Sequence, residues 1–235
     1  MKTKYLFRLL LIPSITFGVS GFVRANTILV DPNIPNGETI TYTSRTGDKR
    51  VTIVESVVVK KDGERELYEI SSRSESLDRT IKLAKDTLAI LSVHTVRKFP
   101  EVTLDLQLTV IDEKPHSARD EIMLADLSVQ KYILRGFPFE KLKKLKIGFY
   151  REDRKKPSPF NTNYKGKEKL TVNQKTVECY KLETGMDGFW GTFVPETKMW
   201  YSVEPPHHLV RYEGPSGPPG TPTRIIEQVT YTVTE

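Results

Sequence analysis

The sequence predicts a mainly β, antiparallel fold of the α+β class, with a single short helix. Three observations carry this. Runs that alternate apolar and polar residues at every second position recur from Asn36 onward, which is the period of a strand with one buried face. Turn residues separate those runs at hairpin spacing, as at Gly47-Asp48 and Asp62-Gly63. Only one stretch, Leu127 to Arg135, reads as a helix with both a start and a stop.

The chain opens on a leader. Lys2 and Lys4 form a basic start, Leu9 to Val19 is apolar, and Val23-Arg24-Ala25 offers a cleavage site. That is the order of a secretory signal peptide over residues 1–25, which implies export to the periplasm and a mature chain from Asn26. An uncleaved anchor is the alternative, since Tyr5 to Val23 spans 19 residues. That length is near the minimum for a membrane helix, but Arg8 makes a centred span costly. Losing Lys2, Lys4, Arg8 and Arg24 with no acid takes the net charge from +6 to +2. The pI of about 9.2 therefore belongs partly to the leader, and no nucleic-acid partner is expected. Residues 26–235 read as one domain, long enough to bury roughly 70% of its unfolded surface. Cys179 is the single cysteine, so no internal disulfide supports the core.

In the body, Ile40 and Tyr42 lie on one strand face and Thr39, Thr41 and Thr43 on the other. Asp62-Gly63 joins a Val- and Ile-rich strand, Val51–Lys60, to Arg65–Ser74. Leu77 to Leu91 fits a helical stripe or two strands equally well, and strands are favoured because both neighbours are strands. Val102, Leu104, Leu106, Leu108 and Val110 alternate with polar residues, which predicts one dry and one wet face. Asp126 is placed to cap the helix Leu127–Arg135, whose stripe is Val129, Tyr132 and Ile133, with Gly136 past its end and Pro138 stopping it. Lys141 to Lys156 holds eight Lys or Arg and reads as a solvated strand and loop, since few stacking aromatics accompany the charge. Leu170–Val172 and Thr176–Leu182 flank a turn at Asn173-Gln174-Lys175. Met199 to Tyr212 is the hairpin around which the sheet is expected to organise. Met199, Tyr201 and Val203 face one way, Trp200 and Ser202 the other, and Pro205-Pro206 forms the hinge. Gly214 to Pro222 is an irregular loop, and Arg224 to Thr234 closes the chain as a strand.

Catalytic and metal signatures are missing from the sequence. His94, His116, His207, His208 and Cys179 are the soft ligand candidates, without C-x-x-C or H-E-x-x-H spacing. No G-x-S-x-G or glycine-rich phosphate loop occurs, and Cys179 reads as a mid-strand core residue. The expectation is a protein that is not an enzyme and carries no cofactor or metal.

Short motifs resemble a bacterial family of periplasmic domains of unknown function, similar in fold to LolA/LolB-type lipoprotein carriers and receptors. They are Asp126-Leu127-Ser128 through Leu134-Arg135-Gly136-Phe137-Pro138-Phe139, Gly166 to Val172 with Glu178 to Leu182, Trp200-Tyr201-Ser202, and Leu209 to Gly214. The turn at Asn173-Gln174-Lys175 departs from the pattern by lacking glycine. The resemblance implies a curved antiparallel half-barrel whose concave face is closed by a helix over an apolar cavity, and carries over no catalytic residue. The physics of the chain agrees. Three apolar helix residues can dock a short helix but cannot seal a broad sheet, which leaves an apolar groove. The candidate ligand-binding residues are Val129, Tyr132, Ile133, Leu104, Leu106, Leu108 and Trp200. The expected partner is a lipid or lipoprotein, or other envelope proteins, with membrane contact peripheral at most.

Overall fold

The computed structural model describes residues 16–19, 28–99, 102–110, 121–124, 127–149, 158–186, 195–217 and 220–234. Twelve antiparallel strands form one curved, unclosed sheet. One half contains β2 (Glu38–Thr46), β3 (Lys49–Asp62), β4 (Arg65–Arg73), β5 (Leu77–Ala84), β6 (Ile90–Lys98) and β7 (Thr103–Val110). The other contains β9 (Lys144–Phe149), β10 (Ser158–Val172), β11 (Lys175–Met186), β12 (Thr197–Ser202), β13 (Leu209–Pro215) and β14 (Thr223–Val233). Each half is a meander, and the two join where β14 pairs antiparallel with β2. Four-residue strands extend the outer edges in parallel: β1 (Thr16–Val19) on β7 and β8 (Glu121–Leu124) on β9. The cleavage site expected after Ala25 lies outside the described residues.

The Leu77–Leu91 ambiguity resolves as strands, β5 and the start of β6. Local turn chemistry explains the meanders. Gly47 and Gly63 sit at positive φ in two-residue connections, a conformation that costs glycine nothing. The β10–β11 turn reaches the same geometry without glycine: Asn173 and Gln174 have φ of 46° and 63°. Asn173 also gives its side-chain amide to the Val229 carbonyl at 2.9 Å.

β-Bulges bend the strands. Register shifts fall between Lys82 and Leu83, Tyr164 and Gly166, Trp200 and Tyr201, and Gln228 and Thr230. An extra residue in one strand bends it and sharpens the twist. The shift opposite Trp200 makes Val210 the extra residue. Leu209 and Tyr212 consequently share a face, although strict alternation would separate them.

The helical segment is present but differs in kind. Only Gln130–Ile133 (α1) is α-helical, between 3₁₀ turns at Leu127–Val129 and Leu134–Gly136. No side chain caps α1, whose N-cap position is Val129; the expected cap, Asp126, lies outside the described residues. So short a helix is not stable by propensity and takes its geometry from what it packs against. Gly136 closes the second 3₁₀ turn without a left-handed φ. A Cβ there would stand 2.4 Å from the Val30 carbonyl oxygen and from a Leu88 methyl. It is small because the segment at Val30 crosses it, with Val30 N donating to the Gly136 carbonyl at 2.8 Å.

The left-handed Gln174 generates a stability prediction. Gln174→Gly is expected to stabilise the protein by about 1 kcal/mol, the cost of holding a side chain in the left-handed region less glycine's extra unfolded-state entropy. A denaturant titration in which the midpoint falls would contradict it.

Candidate functional site

The concave face carries the main core, and α1 with its flanking turns lies across it. Val129, Tyr132 and Ile133 are all buried there, together with Leu134 and Phe137. Tyr201 fastens the segment from the sheet side by donating its hydroxyl to the Lys131 carbonyl at 2.9 Å.

Charge fastens it more firmly. Lys131 and Arg135 are four residues apart, so they project from the same side of the helical segment. Each meets a buried carboxylate on the sheet. Arg135 forks onto Glu38, Nη1 to Oε1 at 2.6 Å and Nη2 to Oε2 at 2.8 Å, and also donates to the Pro206 carbonyl at 3.1–3.2 Å. Side chains of both partners are almost fully enclosed, at 4% and 1% exposure. Lys131 pairs with Glu55, which also accepts from the Tyr132 hydroxyl at 2.7 Å and from Ser72 at 3.1 Å. Burial, with Glu55 alongside, holds the Tyr132 phenol far above its ordinary pKa, so it stays a hydrogen-bond donor.

The sequence reading found the apolar stripe but missed these pairs. A signal was present. Glu38 stands on the same face of its strand as Ile40 and Tyr42, and Glu55 on the same face as Ile53 and Val57. An acid on the dry face of a strand needs a buried cation.

Between this segment and the sheet runs a cleft of about 380 Å³. Its apolar lining includes Ile53, Tyr132, Phe160, Met199, Tyr212 and Ile226, contributed by α1 and by strands from both halves of the sheet. Gln130 seals its inner wall by donating to Thr184 Oγ1 at 3.0 Å.

Of the residues expected to bind ligand, Tyr132 lines this cleft, while Val129 and Ile133 are packed in the core behind it. The aliphatic row of β7 lies elsewhere. Leu104 and Leu106 are 40% and 46% exposed, and Leu108 is half-buried against the core margin. Leu104 and Leu106, on the face expected to be dry, are therefore wet, β7 being the last antiparallel strand of its half. Trp200 faces the opposite side of the sheet from the cleft. It packs with Val172, Cys179 and Val210 in a small convex-face cluster, donates its indole N–H to Glu168, and lies under Lys181 and Arg211. Its neighbours Met199 and Tyr201 are the hairpin residues that reach the concave face.

Burial in the convex cluster pushes the Cys179 thiol up to about 12, leaving it protonated and inert at neutral pH. No group of three or more His, Cys, Asp or Glu among the described residues could hold a metal ion. No helix among them is long and apolar enough to cross a membrane.

No family model and no curated protein matches the chain. Solved structures do resemble it. A beta-barrel-like protein of the domain of unknown function DUF1849 from Brucella abortus aligns over 86% of this chain and 100% of its own, at 8% identity and a TM-score of 0.42. A protein described as exported, with a YmcC-like fold, from Bacteroides fragilis aligns over 85% and 98%, at 10% identity and 0.35. A LolA superfamily protein from Nitrosomonas europaea aligns over 87% and 90%, at 9% identity and 0.26. These neighbours fall among the domains of unknown function and LolA-like proteins that the sequence motifs resemble. At such identities and TM-scores the likeness is one of chain course, and no ligand is carried across.

The site generates a pH prediction. His208 is stacked on Tyr231 with centroids 4.4 Å apart and sits 3.1 Å from Ser202 Oγ through Nδ1. Burial, then the nearby Arg135 cation, lowers its pKa from 6.5 to about 4. A depressed histidine binds its proton in the unfolded chain before the folded one, so its contribution is complete above pH 6.5 and is lost as pH falls towards 4. The loss is about 3 kcal/mol. Stability measured across that window is expected to fall less steeply in His208→Gln, and an unchanged slope would refute the assignment.

Proposed function

We propose that the protein is an exported, periplasmic binding or carrier module that holds a lipid-like or lipidated ligand in the cleft beneath α1. One observation carries the reading. A short helical segment pinned by buried charge leaves an apolar cleft of about 380 Å³ against the concave sheet. That volume is at the small end of the range of about 300–1,000 Å³ for small-molecule sites, which favours a single acyl chain over a bulky lipid. Burying such a chain gains about 0.8 kcal/mol per methylene, without any catalytic group. The basic, apolar leader, residues 1–25, supports the export.

A second reading, an envelope assembly protein that binds other proteins, is favoured by the exposed Val102, Leu104 and Leu106 around β7. The two readings place binding at different residues. A fluorescent fatty-acid probe is expected to bind the purified protein, to be weakened by Met199→Glu in the cleft, and to be unaffected by Leu104→Ser with Leu106→Ser. Native mass spectrometry of protein taken from its own periplasm is expected to show an added lipid mass. Absence of both probe binding and added mass would overturn the carrier reading in favour of the assembly one.

A further inference from the structure

We infer that the cleft selects a single-chain amphiphile with an anionic head, a carboxylate or a phosphate, read by Arg79 and Arg224; this rests on the carrier reading above. Among the described residues, the charged ones lining the cleft are Arg79, Lys131 and Arg224, and no Asp or Glu lines it. Glu55 neutralises Lys131. Arg79 spends only its Nε, on Thr95 Oγ1 at 3.0 Å. Neither Arg79 nor Arg224 has a carboxylate partner among the described residues. Arg224 is exposed and Arg79 half-buried, so both stand where the cleft meets solvent while the apolar floor lies deeper. That order matches an amphiphile inserted tail first.

The electrostatics favour one sign of head. Elsewhere on the sheet Arg211 is balanced by Glu213 and Glu227. No described acid lines the cleft; Glu55 and Glu38 are enclosed beside the helical segment, where they face Lys131 and Arg135. Two unbalanced guanidinium groups at the margin of a low-dielectric wall concentrate a positive potential. A planar guanidinium fork matches carboxylate and phosphate oxygens with charge-assisted hydrogen bonds. A neutral hydroxyl accepts a guanidinium N–H without the bidentate match or the opposite charge, and a cationic head is repelled.

The test compares heads on one tail. Binding of dodecanoate, dodecyl phosphate, dodecanol and dodecyltrimethylammonium is measured by calorimetry below their micelle concentrations. Dodecanoate or dodecyl phosphate is expected to bind the unaltered protein at least about tenfold more tightly than dodecanol, the worth of one charge-assisted bond. The cation is expected to bind weakest, and the tighter of the two anions identifies which acid is read. In Arg79→Gln with Arg224→Gln the preference is expected to vanish while dodecanol affinity stays within about threefold of its original value, which also shows that the cleft is intact. Equal binding of acid and alcohol to the unaltered protein would overturn the head-group assignment and leave the carrier reading standing. Failure of every dodecyl compound to bind would overturn both.

Discussion

The structure depends on how a four-residue helix is held against a broad sheet. Gln130–Ile133 has too few apolar side chains to dock by burial alone and no cap. It is fixed by two ion pairs placed one helical turn apart, Lys131 to Glu55 and Arg135 to Glu38. Buried pairs contribute little net stability, because desolvation offsets the attraction. They do fix geometry, since a bidentate fork tolerates few orientations. Removing one partner leaves a buried charge unpaired, at a cost of roughly 3–5 kcal/mol. The segment therefore has one seating, and the cleft beside it has one shape.

That seating ties the ends of the fold together. Glu38 belongs to β2 and Pro206 to the β12–β13 connection, and Arg135 holds both at once. β2 is also where the two meanders join, through β14. A single guanidinium thus links the helical cover, the seam of the sheet and the hairpin hinge. The bulge at Val229 falls in β14 at that seam, and the bulge at Val210 falls in β13, the next strand. Bending there lets the helical cover reach strands of both halves.

Much of the fold was legible in the sequence. Alternation located the strands, Gly47 and Gly63 located tight turns, and the segment after Leu127 was recognisable by its apolar stripe. The bulges were not legible, because an extra residue such as Val210 is chemically an ordinary strand residue and is defined by its partner's register. The surroundings of β7 were not legible for a similar reason. Leu104 and Leu106 alternate like any amphipathic strand, and only the position of β7 in the strand order leaves them uncovered. Trp200 was read as a ligand-binding residue, and the structure places it in the cluster on the other face. Period two separated it from Met199 and Tyr201, but only the sheet shows which set meets the helix.

The candidate site follows from the same distribution of charge. Among the described residues no acid lines the cleft, while Glu55 and Glu38 are enclosed beside the helical segment, where each meets a helical cation. Placed in the open cleft instead, an acid would neutralise Arg79 or Arg224 and repel an anionic head. Inside the cover, Glu38 and Glu55 keep the helix seated. The separation of acids beneath the cover from arginines at the margin lets one sheet face anchor its own helix and still present a positive rim. An apolar floor then supplies most of the affinity, and the rim supplies the choice among ligands with the same tail.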